Sequence, residues 1–233
     1  MNKEEFIKEL AKLNITITEN QLAQLDTYYQ FLVSENKKYN LTNITEKDSV
    51  YLKHFYDSIT IVKSTKLIDQ YICDIGTGAG FPGMVLKIMF PNIKIDLLEA
   101  TGKKCEFLHQ LIKKLGLTGI TIINNRAEIY SKKVREKYDI VTCRAVAPLK
   151  HLLEYSVPLL KIGGKFIALK SNLDSETLNI NNYYQKLFIK EKKIIKFKLP
   201  VEESNRTIYE VVKYAPTPTI YPRQYNQIKK KEI

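Results

Sequence analysis

The chain has 233 residues, 44% of them hydrophobic, enough for one large domain with a core and too apolar for a disordered chain. No apolar run approaches a membrane span, and the N-terminal stretch MNKEEFIKEL lacks a signal peptide's apolar segment, so a cytoplasmic protein is expected. The net charge is +12 and unevenly placed: residues 1–70 hold 9 basic and 10 acidic side chains, 71–189 hold 17 and 10, and 190–233 hold 11 and 5.

A basic surface attracts polyanions by counterion release, although lysine enrichment from an AT-rich genome would raise the charge as well. Cys73, Cys105 and Cys143 are far apart and show no metal-ligand spacing, which predicts reduced thiols and no metal site.

In chain order, KEEFIKELAKL (3–13) reads as an amphipathic helix. Thr18 with Gln21 forms a capping box that opens a second helix, running to about Lys38. The loop KYNLTNI (38–44) leads to a helix from about Glu46 through Val62 that carries His54 and Asp57. From Tyr71 strands and helices alternate. Strands are predicted at 71–75, 93–98, 120–124, 138–142 and 164–170, and helices at 82–90, 102–115 and 149–160. Two more strands, 193–199 and 206–214, are joined too closely for a crossover helix and should be antiparallel. The expected fold is therefore α/β: a doubly wound, mostly parallel Rossmann-like sheet with an antiparallel C-terminal strand. It divides into an N-terminal helical cap (1–66), a ligand-binding core (67–214) and a flexible basic tail (215–233) with prolines at 216, 218 and 222.

The stretch YICDIGTGAGFPG (71–83) organises the core. An apolar strand runs into glycines at 76, 78, 80 and 83, and a helix follows, the geometry that brings backbone close to a small ligand. An ordinary strand-to-helix turn is the plain alternative, but four glycines in eight residues argue for a ligand. The spacing of Gly78, Gly80 and Gly83 fits a dinucleotide fingerprint. Two residues weigh against a pyrophosphate: Asp74 would repel it, and Pro82 has no N–H to donate. Asp74 would instead attract an ammonium group, so the turn suits S-adenosylmethionine.

Ligands in such sheets sit at the carboxyl ends of the strands, and each end here carries a candidate. Glu99 ends strand two and suits the ribose hydroxyls, unless it is only a helix N-terminal acid. Ala127 and Glu128 are placed to frame an adenine, Arg144 ends strand four, and Lys170 and Ser171 end strand five.

GTGAGFPG, with KYNLTNI and HFYDSI before it and CRAVAPL after it, resembles the bacterial small-subunit ribosomal RNA methyltransferases of the glucose-inhibited division B type. The resemblance covers at least residues 38–214. It implies a class I methyltransferase core and an S-adenosylmethionine-dependent enzyme that methylates N7 of one guanine in 16S ribosomal RNA. Its partner would be that RNA or the small ribosomal subunit, with the enzyme a monomer. By motif, Asp74, Gly76, Gly78, Phe81, Glu99, Ala100, Thr101, Ala127, Glu128 and Arg144 would hold the cofactor. Arg144, Arg126, His54 and Asn40 would serve the reaction, with Asp57 in support. Lys170, Arg206 and Arg223 would meet the RNA. Ser171 departs from the glycine that many relatives carry after the strand-five lysine.

Guanine N7 has an exposed lone pair, so in-line attack on the methyl carbon needs no general base. An NAD-dependent oxidoreductase and a non-enzymatic RNA-binding module on a degenerate methyltransferase fold are the competing readings. Asp74 with Pro82 opposes the first, and intact Gly76, Glu99 and Arg144 oppose the second.

Overall fold

The computed structural model describes residues 1–173, 176 and 180–233. Helices α1 (Lys3–Lys12) and α2 (Glu19–Tyr39) come first, and the Thr18–Gln21 capping box opens α2 as expected. The next helical stretch is not uniform. It passes through α3 (Lys47–Val50), a π-helical stretch (Tyr51–Tyr56), α4 (Asp57–Ile59) and a 3₁₀ turn (Thr60–Lys63). Its apolar residues suggest one α-helix, whereas the widened turn carries His54, with Asp57 directly after it. Such π turns are frequent at functional sites.

The core holds strands β1 (Tyr71–Ile75), β2 (Lys94–Glu99), β3 (Ile120–Asn124), β4 (Tyr138–Arg144), β5 (Leu160–Lys170), β6 (Ile189–Lys198) and β7 (Asn205–Lys213). Their order in one seven-stranded sheet is β3-β2-β1-β4-β5-β7-β6. Pairs among β1 to β5 are parallel, and β7 runs antiparallel to both β5 and β6. The order reverses between β1 and β4, so the ligand crevice belongs at their carboxyl ends.

Between the strands lie α5 (Gly83–Met89), α6 (Gly102–Leu115), α7 (Ala127–Lys133), α8 (Leu149–Ser156) and α9 (Asn181–Leu187), and α10 (Tyr225–Lys230) follows β7. The sequence pattern gave a loop where α7 stands and no helix at α9 or α10. All three are six or seven residues long, too short to show two full helical periods. The predicted helix 149–160 ends early because Pro158 turns its last residues into 3₁₀ form (Val157–Leu159).

The N-terminal helices share one hydrophobic cluster with β1, β2, α5 and α6, centred on Leu25, Tyr28, Phe55, Met84 and Leu108. Side chains of α2 also cap two core helices. Gln21 Nε2 donates to the carbonyls of Ile88 and Met89, both at 3.0 Å, and Gln24 Nε2 donates to that of Leu115 at 2.9 Å. Final-turn carbonyls have no partner within their own helix, so these amides fix the cap against the core.

The tail differs from the expected flexible arm, because it lies on the core. Arg135 donates to the carbonyls of Thr217, Pro218 and Tyr221, while Tyr221 and Ile233 join the second hydrophobic cluster beside α8. Arg223, expected on the RNA, turns inward to Glu154, a fully buried carboxylate on α8. A buried carboxylate needs a paired cation, and this one takes it from the tail. Prolines that suggest a loose linker here stiffen an extended strap. Among the described residues no helix is long and apolar enough to cross a membrane.

Candidate active site

The glycine turn after β1 is shaped by contacts from both sides. Gly80 has φ +104°, and a Cβ there would lie 2.6 Å from the Tyr28 hydroxyl. A Cβ on Gly83 would meet Leu97 Cδ2 at 2.4 Å and Asp74 Oδ2 at 2.7 Å. The helix start therefore packs directly on the strands, and only glycine permits it.

Asp74, whose charge suggests a ligand partner, lines neither of the cavities described below. It is fully buried, and Oδ2 accepts the Gly83 N–H at 2.8 Å, bracing the first turn of α5. Burial raises its pKa to about 7. Phe81 is likewise interior: it stacks on Tyr28 and on His54, with ring centroids 5.3 and 4.4 Å apart. It joins the helical cap to the turn and lines neither of the cavities described below.

Glu99 stands where strand two places it, at the mouth of the crevice. Oε2 accepts the Gly78 N–H at 2.9 Å and Oε1 the Thr101 N–H at 2.8 Å. Each oxygen keeps a lone pair for a further donor. The carboxylate thus ties the turn after β1 to the turn after β2. Gly78 and Thr101 act through it, and neither lines the cavity.

That cavity, about 590 Å³, opens at the ends of β1, β2, β3 and β4. Gly76, Glu99, Ala100, Ala127 and Glu128 line it, five of the residues expected to hold the cofactor. Arg126 lines it too, and its Nε donates to Glu128 Oε1 at 2.6 Å. Sequence reasoning missed Tyr155 from α8 and both Tyr225 and Lys229 from α10, because nothing local joins the tail to the crevice.

A second cleft, about 430 Å³, lies beyond Ala145, which lines both. Ala145 has φ +53°, a left-handed backbone that costs a non-glycine residue on the order of 1 kcal/mol. Arg144 faces this second cleft rather than the first. Its Nη1 donates to the Lys53 carbonyl at 2.6 Å and to Asp57 Oδ2 at 3.3 Å, and its Nη2 meets His54 Nδ1 at 3.0 Å. Arg206 Nε donates to Asp57 Oδ1 at 3.0 Å, so one carboxylate holds two guanidiniums.

Arginine can only donate, so His54 Nδ1 accepts and the ring proton sits on Nε2, which donates to Thr42 Oγ1 at 2.8 Å. Burial and then Arg144 lower the His54 pKa to about 3, leaving a neutral ring with both nitrogens engaged. Lys170 lines the same cleft, but its ammonium donates to Ala147 O and to Glu176. Asn40, expected to serve the reaction, lines neither cavity. It is the left-handed C-cap of α2, with φ +50°, which accounts for an asparagine there. Among the described residues no group of histidines, cysteines and carboxylates is placed to hold a metal.

A parallel sheet with this strand order, an antiparallel β7 and a cavity at the switch point is the class I methyltransferase fold. Solved structures share the fold. One is a precorrin-6y C5,15-methyltransferase from Geobacter metallireducens, 16% identical with a TM-score of 0.52 over 79% of this chain and 98% of that one. Another is M. jannaschii TYW2 in complex with AdoMet, 14% identical with a TM-score of 0.54 over 67% of this chain and 74% of that one. The family model of GidB, rRNA small subunit methyltransferase G, matches residues 21–208, and the chain belongs to this family. Relatives named ribosomal RNA small subunit methyltransferase G agree from end to end. The protein from Limosilactobacillus reuteri is 45% identical with all of both chains covered, and that from Listeria monocytogenes 44% with 96% of each. The protein is therefore an S-adenosylmethionine-dependent methyltransferase.

Proposed function

We propose that this enzyme methylates N7 of one guanine in 16S ribosomal RNA, at the 527-type position, from within the cytoplasm and as a monomer. The observation that carries this reading is the pair of cavities sharing Ala145. The first takes the cofactor: Glu99 accepts from the ribose hydroxyls, Ala127 and Glu128 frame the adenine, and the backbone at Gly76 lies along the methionine portion. The second takes the target base, with Arg144 and Arg206 at its edge.

The donor group supplies an electrophilic methyl, and the chain's own residues supply position. Holding the N7 lone pair in line with the methyl–sulfur bond is worth up to roughly 7–11 kcal/mol. The bond from carbon to N7 forms as the carbon–sulfur bond breaks, and no proton moves. The base becomes cationic, so bare cations around it would oppose the step. Asp57 lies against both Arg144 and Arg206 and offsets part of their charge. The neutral His54 ring adds none.

Mapping N7-methylguanine by reduction and aniline cleavage tests the reading. RNA from cells with the protein should break at one guanine and RNA from cells without it should not, and purified protein with S-adenosylmethionine should restore the break. Cleavage that persists without the protein, or methyl groups on a ribose or pyrimidine, refutes it.

A further inference from the structure

The C-terminal strap does more than cover apolar surface. Glu154 fastens it through three contacts: Oε1 accepts the Arg223 backbone N–H at 2.7 Å and its Nε at 2.9 Å, and Oε2 accepts Nη2 at 2.9 Å. Ile228 is buried two residues short of the end of α10. Held in this way, α10 forms part of the first cavity's wall, with Tyr225 and Lys229 facing into it.

The Tyr225 ring centre lies 4.8 Å from the Arg126 guanidinium, and that guanidinium pairs with Glu128. Arg126's side chain is 51% exposed, whereas that of Glu128 is 9% exposed. An ion pair with one exposed member contributes little by itself and leaves its geometry loose. An aromatic face over the guanidinium adds attraction and restricts it. Tail, guanidinium and buried carboxylate thus form one continuous chain of contacts ending at the cavity.

We propose that Tyr225 is a positioning residue for the cofactor. It fixes Arg126, and through it the Glu128 carboxylate, so that the C-terminal strap encloses the adenine end of S-adenosylmethionine. Lys229 completes the same wall. The inference rests on the reading of the first cavity as the cofactor site, and the experiment separates the two.

Binding of S-adenosylhomocysteine to the full-length chain is measured by calorimetry. Tyr225→Ala should weaken it about three- to fivefold, with kcat at saturating cofactor and KM for RNA unchanged. Tyr225→Phe should restore affinity to within about twofold, since the ring face remains. Arg135→Met, outside the cavity, should loosen the strap and weaken binding in the same direction. The chain has no tryptophan, so Tyr225→Trp installs on the wall the only indole, whose emission is excited apart from that of the tyrosines. Its emission should change saturably with the cofactor, whereas that of Tyr214→Trp, outside the cavity, should not. Glu99→Ala is the control for the cavity itself. If it too leaves affinity unchanged, the cofactor site has been misplaced. If Glu99→Ala weakens binding and Tyr225→Ala does not, the strap proposal alone is overturned. It is equally overturned if the Tyr225→Ala and Arg135→Met variants keep their cofactor affinity and instead lose salt dependence in RNA binding, which would make the tail an RNA arm.

Discussion

The two cavities that meet at Ala145 are built by opposite means. On the cofactor side the strand-end turns, with Gly76, Ala100 and Ala127, are tied together by one carboxylate, Glu99, and Tyr155, Tyr225 and Lys229 complete the wall. On the other side it is an ionic cluster drawn from four distant places: the π turn, the end of β4, the end of β5 and the start of β7. Turn geometry and a docked tail fix the first, and charge pairing fixes the second. The first should therefore respond to substitution mainly through cofactor affinity. Changes in the second should leave cofactor affinity alone and fall on RNA and on the chemical step.

The strongest way to break that contrast is Arg144→Ala. The guanidinium is buried, meets His54 and shares Asp57 with Arg206, so its loss leaves a carboxylate half-paired and a histidine without its donor. Removing one partner of a buried pair typically costs about 3–5 kcal/mol. We expect methyl transfer to fall on the order of a thousandfold. S-adenosylhomocysteine affinity should move by no more than about threefold, because Arg144 does not line the cofactor cavity. Comparable losses in both would show that the two cavities act as one site. Circular dichroism separates either result from unfolding.

Glu99→Ala should produce the next largest effect, and in the opposite column. Two turn N–H groups lose their acceptor, along with the ribose hydroxyls. Each unsatisfied polar group costs about 1–3 kcal/mol, which predicts cofactor affinity about ten- to a hundredfold weaker. RNA affinity should be unchanged in a filter-binding assay. A normal cofactor affinity would remove Glu99 from the site.

The same contrast explains what was legible beforehand. The strand order around β1, the glycine turn and Glu99 all lie in short runs whose spacing carries the geometry. Of the second cleft, Arg144, Lys170 and Ser171 stand out as strand ends, whereas a role for His54, Asp57 and Arg206 comes only from the family resemblance. Nothing in the spacing of His54, Arg144 and Arg206 reveals that one carboxylate, Asp57, binds both guanidiniums. For Asp74 the charge suggests a ligand partner, whereas its depth, invisible in a sequence, sets Oδ2 to brace α5. The tail was misread for the reverse reason. Its basic residues and prolines dominate the composition, while the contacts that hold it, Glu154 to Arg223 and Arg135 to three carbonyls, span 69 to 86 residues. Tyr221, Ile228 and Ile233, the apolar residues that dock it, are too widely spaced to form a pattern.

The smallest effect on activity belongs to His54, and it separates positioning from proton transfer. With Nδ1 accepting from Arg144 and Nε2 donating to Thr42, the ring has no lone pair left for a substrate proton. Its pKa, lowered from 6.5 to about 3, keeps it neutral across the physiological range. The single-turnover rate should accordingly be flat from about pH 6 to 8, where a histidine base would impose a rise. His54→Gln should cost about threefold or less, through KM for RNA, because the amide can replace one hydrogen bond but not the stacking on Phe81. Stability carries the complementary signature. A depressed pKa means that the neutral ring's contribution is complete above pH 6.5 and is lost as pH falls toward 3, since the unfolded chain takes up the proton first. Urea melts should therefore show the wild type losing more stability than His54→Gln between about pH 6 and 4. Equal acid slopes would mean that the ring titrates freely in the folded protein, and a tenfold rise in rate per pH unit through neutrality would restore it as a base.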